Sequence, residues 1–289
     1  MKKKYVFIIL ILIILLSFII YPKIKLKQSN VFTLDDNFSR EEINYILDNN
    51  IDLENLNLYM KYKYFDLYNY NSYELIRTTQ ELTHLESINS FRHINYFKPY
   101  VNPLPALFLD TNLVLVNKSY YLSKDFIPSN LVSVMDYEIE YTNADIMLKK
   151  EVLDYYQKMY LDALKDNISF AIFSGFRSYK RQEHLFYNVY NDDTISAKPG
   201  HSEHQTGYAI DISPFDVGLI NELENTPTYK WLINNCYKYG FILRFPKNKT
   251  KITTYQFEPW HFRYVGDIAY EIMANDLTLE EYIFSNLEI

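Results

Sequence analysis

The sequence is poor in cysteine, in glycine and in excess positive charge. One cysteine, Cys236, among 289 residues excludes an intramolecular disulfide and a cysteine-rich zinc cluster. It falls within the helical pattern "TYKWLINNCYKYG" and reads as a small buried apolar residue. With only 6 glycines, each one marks a place where the backbone needs it. A net charge of −7 argues against a nucleic-acid partner, which would require a basic face. No internal repeat is present.

What the chain does have is apolar and aromatic bulk. It is 48% hydrophobic and 17% aromatic, with 29 Tyr and 19 Phe, so a real core can form. Its length suits one larger domain and a smaller region, or two modest domains. Three lysines precede an apolar run from Tyr5 to Tyr21. As a helix that run would reach roughly 26 Å, near the lower limit for crossing a bilayer. The exit, "FIIYPKIK", lacks the small residues of a cleavage site, and no cysteine lies nearby to take a lipid. The expectation is an uncleaved signal-anchor in the cytoplasmic membrane, with a cleaved signal as the alternative.

Along the rest of the chain, "SREEINYIL" opens with a capping box, Ser39 with Glu42. "NLYMKYKYF" and "SYELIRTTQEL" continue a helical region to about residue 90. Pro99, Pro103 and Pro105 then mark a connection. "NLVLVNKSYYL" alternates like a strand, and "ADIMLKKEVLDYYQKMYLDALKDN" has helical spacing, with Ile146, Leu153, Tyr156, Tyr160 and Leu164 near one face. "ISFAIFSGF" reads as a buried strand, "SYKRQEHLFYNVY" as a helix capped by Ser178, and "GYAIDISPF" as a strand. "TPTYKWLINNCYKYG" is a helix ending at Gly240, "FILRF" and "TTYQFEPWHFRYV" are strands, and "TLEEYIFSN" carries a second capping box, Thr278 with Glu281. Segregated helices and short hairpin-linked strands predict an α+β fold. The expected organisation is a membrane segment at 1–27, a linker and helical region at 28–105, and a catalytic domain at 106–289.

The chemistry concentrates in "PGHSEHQTGYAID". Asp211 interrupts the apolar run "YAIDI", and a carboxylate in a buried strand is costly unless paired, protonated or metal-bound. His204 lies seven residues earlier, and either a turn near Gly207 or an extended run could bring both side chains to one point. A hydrolytic zinc takes three protein ligands and keeps one position open. The third should come from a distant histidine beside an acid, and "EPWHFRY" offers His261 with Glu258. Positions i and i+3 of a regular strand face opposite sides, so both can point to one metal only where the strand kinks or ends.

"SEHQTGYAID" fits S-x-H-x-x-G-x-A-x-D, "EPWH" fits E-x-W-H, and "SGFRSYKRQ" lies upstream. Over about residues 110–270 the chain resembles the VanY-type D-alanyl-D-alanine carboxypeptidases, within the lysostaphin/D-Ala-D-Ala-peptidase/hedgehog-like zinc peptidases. The resemblance implies a small antiparallel sheet flanked by helices and carrying a single zinc site, one Zn²⁺ per chain. It makes His204, Asp211 and His261 the metal ligands and Glu258 the general base. Arg177 becomes the cation that steadies the substrate carbonyl, and Gln182 and Ser202 match positions that touch substrate. The implied partners are peptidoglycan stem peptides outside the membrane, and the implied activity is removal of a C-terminal D-alanine. An L,D-carboxypeptidase or endopeptidase with the same site, and a non-catalytic wall-binding or sensor protein, are the alternatives. Beside these residues, His201 and Glu203 take rim or supporting roles, His184 a surface or satisfied core role, and Trp260 is expected to pack beneath the site and aim His261.

Overall fold

A computed structural model of the chain describes residues 38–92 and 99–286. The apolar run from Tyr5 to Tyr21 lies outside the described residues; among those described, no helix is long and apolar enough to cross a membrane. The chain divides into two compact units, Met1–Leu75 and Ile76–Ile289. The division falls ahead of the boundary at 105 read from the sequence.

In the first unit, α1 (Arg40–Asp48) starts at the expected capping box: Ser39 Oγ accepts from Glu42 N, and the Glu42 carboxylate accepts from Ser39 N. α2 (Leu53–Met60) buries Leu56 and Tyr59, whose hydroxyl donates to Glu74 at 2.7 Å. "KYKYF" is not helical but a turn after α2. α3 (Tyr70–Gln80), which begins in this unit and continues past Leu75, buries Tyr70 and Tyr73.

In the second unit, α4 (His84–Arg92) is tied to the C-terminal helix: Asn89 donates to Ser285 Oγ, and Arg92 donates to the Phe284 carbonyl. These bonds explain why the residues after 75 belong with this unit. Two short pairs follow. β1 (Leu104–Pro105) runs parallel to β2 (Tyr120–Tyr121), and β3 (Leu131–Ser133) runs antiparallel to β5 (Met147–Lys149). The principal sheet has the order β4-β6-β7-β9-β8, with β4 (Glu140–Tyr141), β6 (Ala171–Ser174), β7 (Ala209–Ser213), β8 (Phe241–Leu243) and β9 (His261–Tyr264). Its pairs are antiparallel except for β4 with β6, so the sheet is mixed where a purely antiparallel one was expected. The helices α5 (Lys150–Lys165), α6 (Tyr179–Leu185), α7 (Pro227–Asn235), α8 (Thr250–Thr253), α9 (Ala269–Ala274) and α10 (Leu279–Asn286) complete the unit.

Three expected elements change. "NLVLVNKSYYL" is strand only at Tyr120–Tyr121, because Val114, Leu115 and Val116 are all buried and the Asn117 side chain folds the chain over by accepting from Ser119 N and Tyr120 N. The helix expected from about residue 144 begins at Lys150, since Met147–Lys149 is spent on β5. Its buried stripe is Val152, Leu153, Tyr156, Met159, Tyr160 and Ala163, and Leu164 is exposed. "TTYQFEPWHFRYV" is strand only from His261, because Thr250–Thr253 is helical and the Glu258–His261 segment is a turn closed by His261 N donating to the Glu258 carbonyl. Ser178 and the Thr278/Glu281 box cap as expected.

The core sits between α5 and the middle of the sheet, where Ile172, Ile210, Ile212 and Phe262 are fully buried. Ile210 lies on the central strand β7, one residue from Asp211. Ile210→Ala is therefore expected to destabilise the second unit by about 2–5 kcal/mol, read as a shifted midpoint in chemical denaturation with an unchanged slope.

Candidate active site

The sheet register brings the candidate ligands together. Asp211 on β7 stands directly opposite His261 on β9. Directly opposed residues in an antiparallel pair hold their Cβ atoms about 4.5–5.5 Å apart, so one cross-strand pair supplies two converging groups. His204 reaches the same point from the 3₁₀ turn Glu203–Thr206 that precedes β7. Gly207 ends that turn at φ +74°, where a side chain would be strained and its Cβ would press on Leu131 at 3.1 Å. At Gly175 a Cβ would sit 2.6 Å from the Met147 carbonyl. The missing side chain lets the chain pass there, and the Gly175 carbonyl anchors His204 Nδ1 at 2.7 Å.

His204 Nε2 lies 3.2 Å from one Asp211 oxygen, and His261 Nδ1 lies 3.1 Å from the other. The ligand atoms of His204, Asp211 and His261 all fall within 4.8 Å of one another, and the three residues are buried. Burial alone would raise Asp211; the imidazoles of His204 and His261 outweigh it and hold the carboxyl far below the usual range. Burial also opposes charge on His261, yet the carboxylates of Asp211 and Glu203 overcome it and raise the ring to about 9. His204 is shifted down, chiefly by burial. Two imidazole nitrogens and a carboxylate oxygen, buried and convergent, fit the ligand set of a catalytic zinc with a position left open.

Glu258 faces this point from the turn before β9, its Oε2 3.5 Å from His261 Nδ1 and its side chain 19% exposed. The strand begins at His261, which removes the i, i+3 conflict seen in the sequence. Burial pushes Glu258 up to about 7, against the pull of His261. A carboxylate poised there can accept a proton at neutral pH and return it.

Arg177 follows β6 and donates from Nη2 to Ser174 Oγ at 3.1 Å and from Nη1 to Gln182 Oε1 at 2.9 Å, with Asp211 4.0 Å away. The β6–β7 pairing slips between Ile172 and Ser174, a bulge of the kind that re-aims a side chain beside a site. Gln182, 1% exposed, also donates to Ser196 Oγ and the Ala197 carbonyl, so it meets the cleft through Arg177. Ser202 is buried and lines the cleft with Arg177, Glu258 and the three ligands. Trp260 is half-buried and lines the cleft beside His261. His184 is exposed and pairs with Asn188 on its own segment; His201 Nδ1 bonds the Asn117 carbonyl at 2.7 Å.

The sequence reading passed over Ser174, Arg244, Arg263 and Glu280. Arg244 in "FILRF" and Arg263 in "HFRY" carried a usable signal, for each charge interrupts an apolar strand as Asp211 does. Both are fully buried, and both bind Glu203.

Residues 145–267 match the profile of VanY, D-alanyl-D-alanine carboxypeptidase. Bifunctional D-Ala-D-Ala dipeptidase and D-Ala-D-Ala carboxypeptidase VanXYC of Enterococcus gallinarum is 32% identical over 182 residues, covering 59% of this chain and 92% of that protein. The chain belongs to the VanY family. YodJ of Bacillus subtilis (strain 168) is 43% identical over 185 residues, covering 59% of this chain and 66% of that protein, so the chain spans just under two thirds of YodJ. Among solved structures, the LdcB LD-carboxypeptidase superposes with a TM-score of 0.55 at 41% identity, covering 60% of this chain and 86% of that one.

The wild-type chain is expected to hold one equivalent of zinc after dialysis, measured by atomic emission. His204→Ala and Asp211→Ala should each retain little of it. A full equivalent in either variant would remove that residue from the ligand set.

Proposed function

We propose that this chain is a zinc carboxypeptidase that removes a C-terminal D-alanine from peptidoglycan stem peptides. The observation that carries the reading is the single cleft in which the three convergent ligand atoms stand beside Glu258 and Arg177. His204, Asp211 and His261 would hold the metal. Zinc bound there supplies Lewis acidity, polarising the scissile carbonyl and making the attacking water more acidic. Glu258 takes the proton from the attacking water as its oxygen bonds to the carbonyl carbon. When the C–N bond breaks, Glu258 delivers that proton to the leaving amine. Arg177, fixed by Ser174 and Gln182, meets the negative charge that develops on the carbonyl oxygen, and a cation already in place needs no reorganisation during the step. Membership of the VanY family supports a D,D cut, which leaves a tetrapeptide stem from a pentapeptide. The likeness to the LdcB LD-carboxypeptidase supports a second reading, an L,D cut on the tetrapeptide.

Glu258→Gln keeps the shape of the side chain but cannot accept the proton. Its kcat on a stem peptide should fall by about 10² to 10⁴ with zinc content unchanged. Turnover within about tenfold of wild type, well short of that range, would assign the base elsewhere. Hydrolysis of synthetic pentapeptide but not tetrapeptide stems supports the D,D reading, and the reverse supports the L,D reading. A chain that binds both and cuts neither is a sensor.

We further propose that the catalytic unit faces outward from the cytoplasmic membrane, tethered through Tyr5–Tyr21. The support is the unbroken apolar run without a small-residue exit and a substrate class found in the wall. Protease added to wall-stripped cells should digest the catalytic unit. Mature protein beginning after residue 21 and free in the medium would overturn the anchor.

A further inference from the structure

Glu203 precedes the ligand His204, yet its carboxylate turns toward the other histidine. Its Oε1 accepts from Arg244 Nε at 2.8 Å and from Arg263 Nη1 at 3.0 Å. Its Oε2 lies 3.5 Å from His261 Nε2. Both of these atoms are closed off from solvent and neither has another hydrogen-bond partner. A buried polar atom without a partner costs free energy, and here two such atoms, one a donor when protonated and one an acceptor, face each other. The opposite nitrogen, His261 Nδ1, faces Asp211 at 3.1 Å and Glu258 at 3.5 Å.

We propose that Glu203 is the positioning residue of the metal site: it accepts the Nε2–H of His261, fixes the ring tautomer and presents the Nδ1 lone pair to the metal. The proposal rests on the metal reading given above. It makes the two histidine ligands opposite in sense. His204 commits Nδ1–H to the Gly175 carbonyl and offers Nε2, whereas His261 commits Nε2–H to a carboxylate and offers Nδ1. A charged acceptor raises the basicity of the imidazole it serves more than a carbonyl does, so His261 is the stronger donor of the pair.

The carboxylate is itself held in place. Arg244 forks onto Glu280 of α10, donating from Nη1 at 2.8 Å and from Nη2 at 2.5 Å, and Arg263 donates to the backbone carbonyls of Asn112, Val114 and Tyr264. A purely structural counter-ion would explain the two arginine bonds. It would not explain why the second oxygen is aimed at His261 and left without any other partner.

The two explanations separate in metal affinity. Zinc affinity is measured on the full chain by competition with a chromogenic chelator, for wild type, Glu203→Gln and Glu280→Gln. Glu203→Gln should bind zinc about 10- to 100-fold more weakly, in the range found for carboxylates behind histidine ligands. Glu280→Gln should lose thermal stability but keep wild-type zinc affinity, because it loosens Arg244 without touching His261. A folded Glu203→Gln with wild-type zinc affinity overturns the proposal. Should Glu203→Gln fail to fold, ¹⁵N imidazole NMR of the zinc-loaded wild type decides: a proton on Nε2 and metal on Nδ1 of His261 support it, and metal on Nε2 overturns it. A wild-type chain that binds no zinc brings down the metal reading itself, a result distinct from a tight wild-type site that Glu203→Gln leaves intact.

Discussion

A carboxylate has to be kept charged in the middle of a sheet, and the arrangement of the second unit follows from that. Asp211 is 5% exposed on β7, the central strand, flanked by β6 and β9. Taking an isolated carboxylate out of water would cost far more than a domain of this size can spare. Both of its oxygens are instead met within 3.2 Å by an imidazole nitrogen, one across the strand pair and one from the turn before the strand. Those two demands fix the register of β7 against β9 and the length of the Glu203–Thr206 turn. A slip of one residue in β7 would send Asp211 to the other face and put Ile210 or Ile212 in its place.

The second consequence is that charge is buried in two adjoining layers. Behind the ligands lie Glu203, Glu280, Arg244 and Arg263, two carboxylates against two guanidinium groups. The group is neutral as a whole, and its hydrogen bonds use the in-plane N–H edges of both arginines. A buried ionic group of this kind is weak evidence for stability, since well-packed apolar residues often do as well. Breaking it is another matter, because removal of one partner leaves an uncompensated charge and costs about 3–5 kcal/mol. The arrangement makes sense where a fixed charge is needed at one atom, here Glu203 Oε2, and α10 with the 112–117 segment supplies the walls that fix it.

How far this could be read from the sequence depends on the range of the interaction. The capping boxes at Ser39 and Thr278 are local, decided by residues three apart, and they form as read. The chemistry-bearing residues were legible for a related reason: Asp211 contradicts the apolar pattern around it, and a contradiction in a strand signals a compensating partner. The same signal stood at Arg244 and Arg263, where no motif drew attention to it. What could not be read locally was settled by pairing. Val114–Val116 alternate on paper with their neighbours, but full burial on both sides and the Asn117 turn displace the strand. Met147–Lys149 carry helical spacing, but an open edge at β3 claims them. The choice of nitrogen on each histidine lies furthest from the sequence, since it depends on the Gly175 carbonyl in one case and on Glu203 in the other.

The division of labour within the cleft follows from the same constraint. Every group assigned to the chemistry is on a sheet strand or within a short turn of one, where the register leaves little freedom. The rim is built differently. Tyr190 and Ile195 line the cleft from the π-helical turn Phe186–Tyr190 and the loop after it, and they are 48% and 60% exposed. Their burial waits on whatever enters. On the function proposed above, a peptide that covers them would displace water from the mouth, and in the drier cleft the field of Arg177 and the basicity of Glu258 would both act more strongly on the scissile amide. On that reading, discrimination between stems could change in the rim without disturbing Asp211, because neither Tyr190 nor Ile195 takes part in the bonds that keep that carboxylate charged.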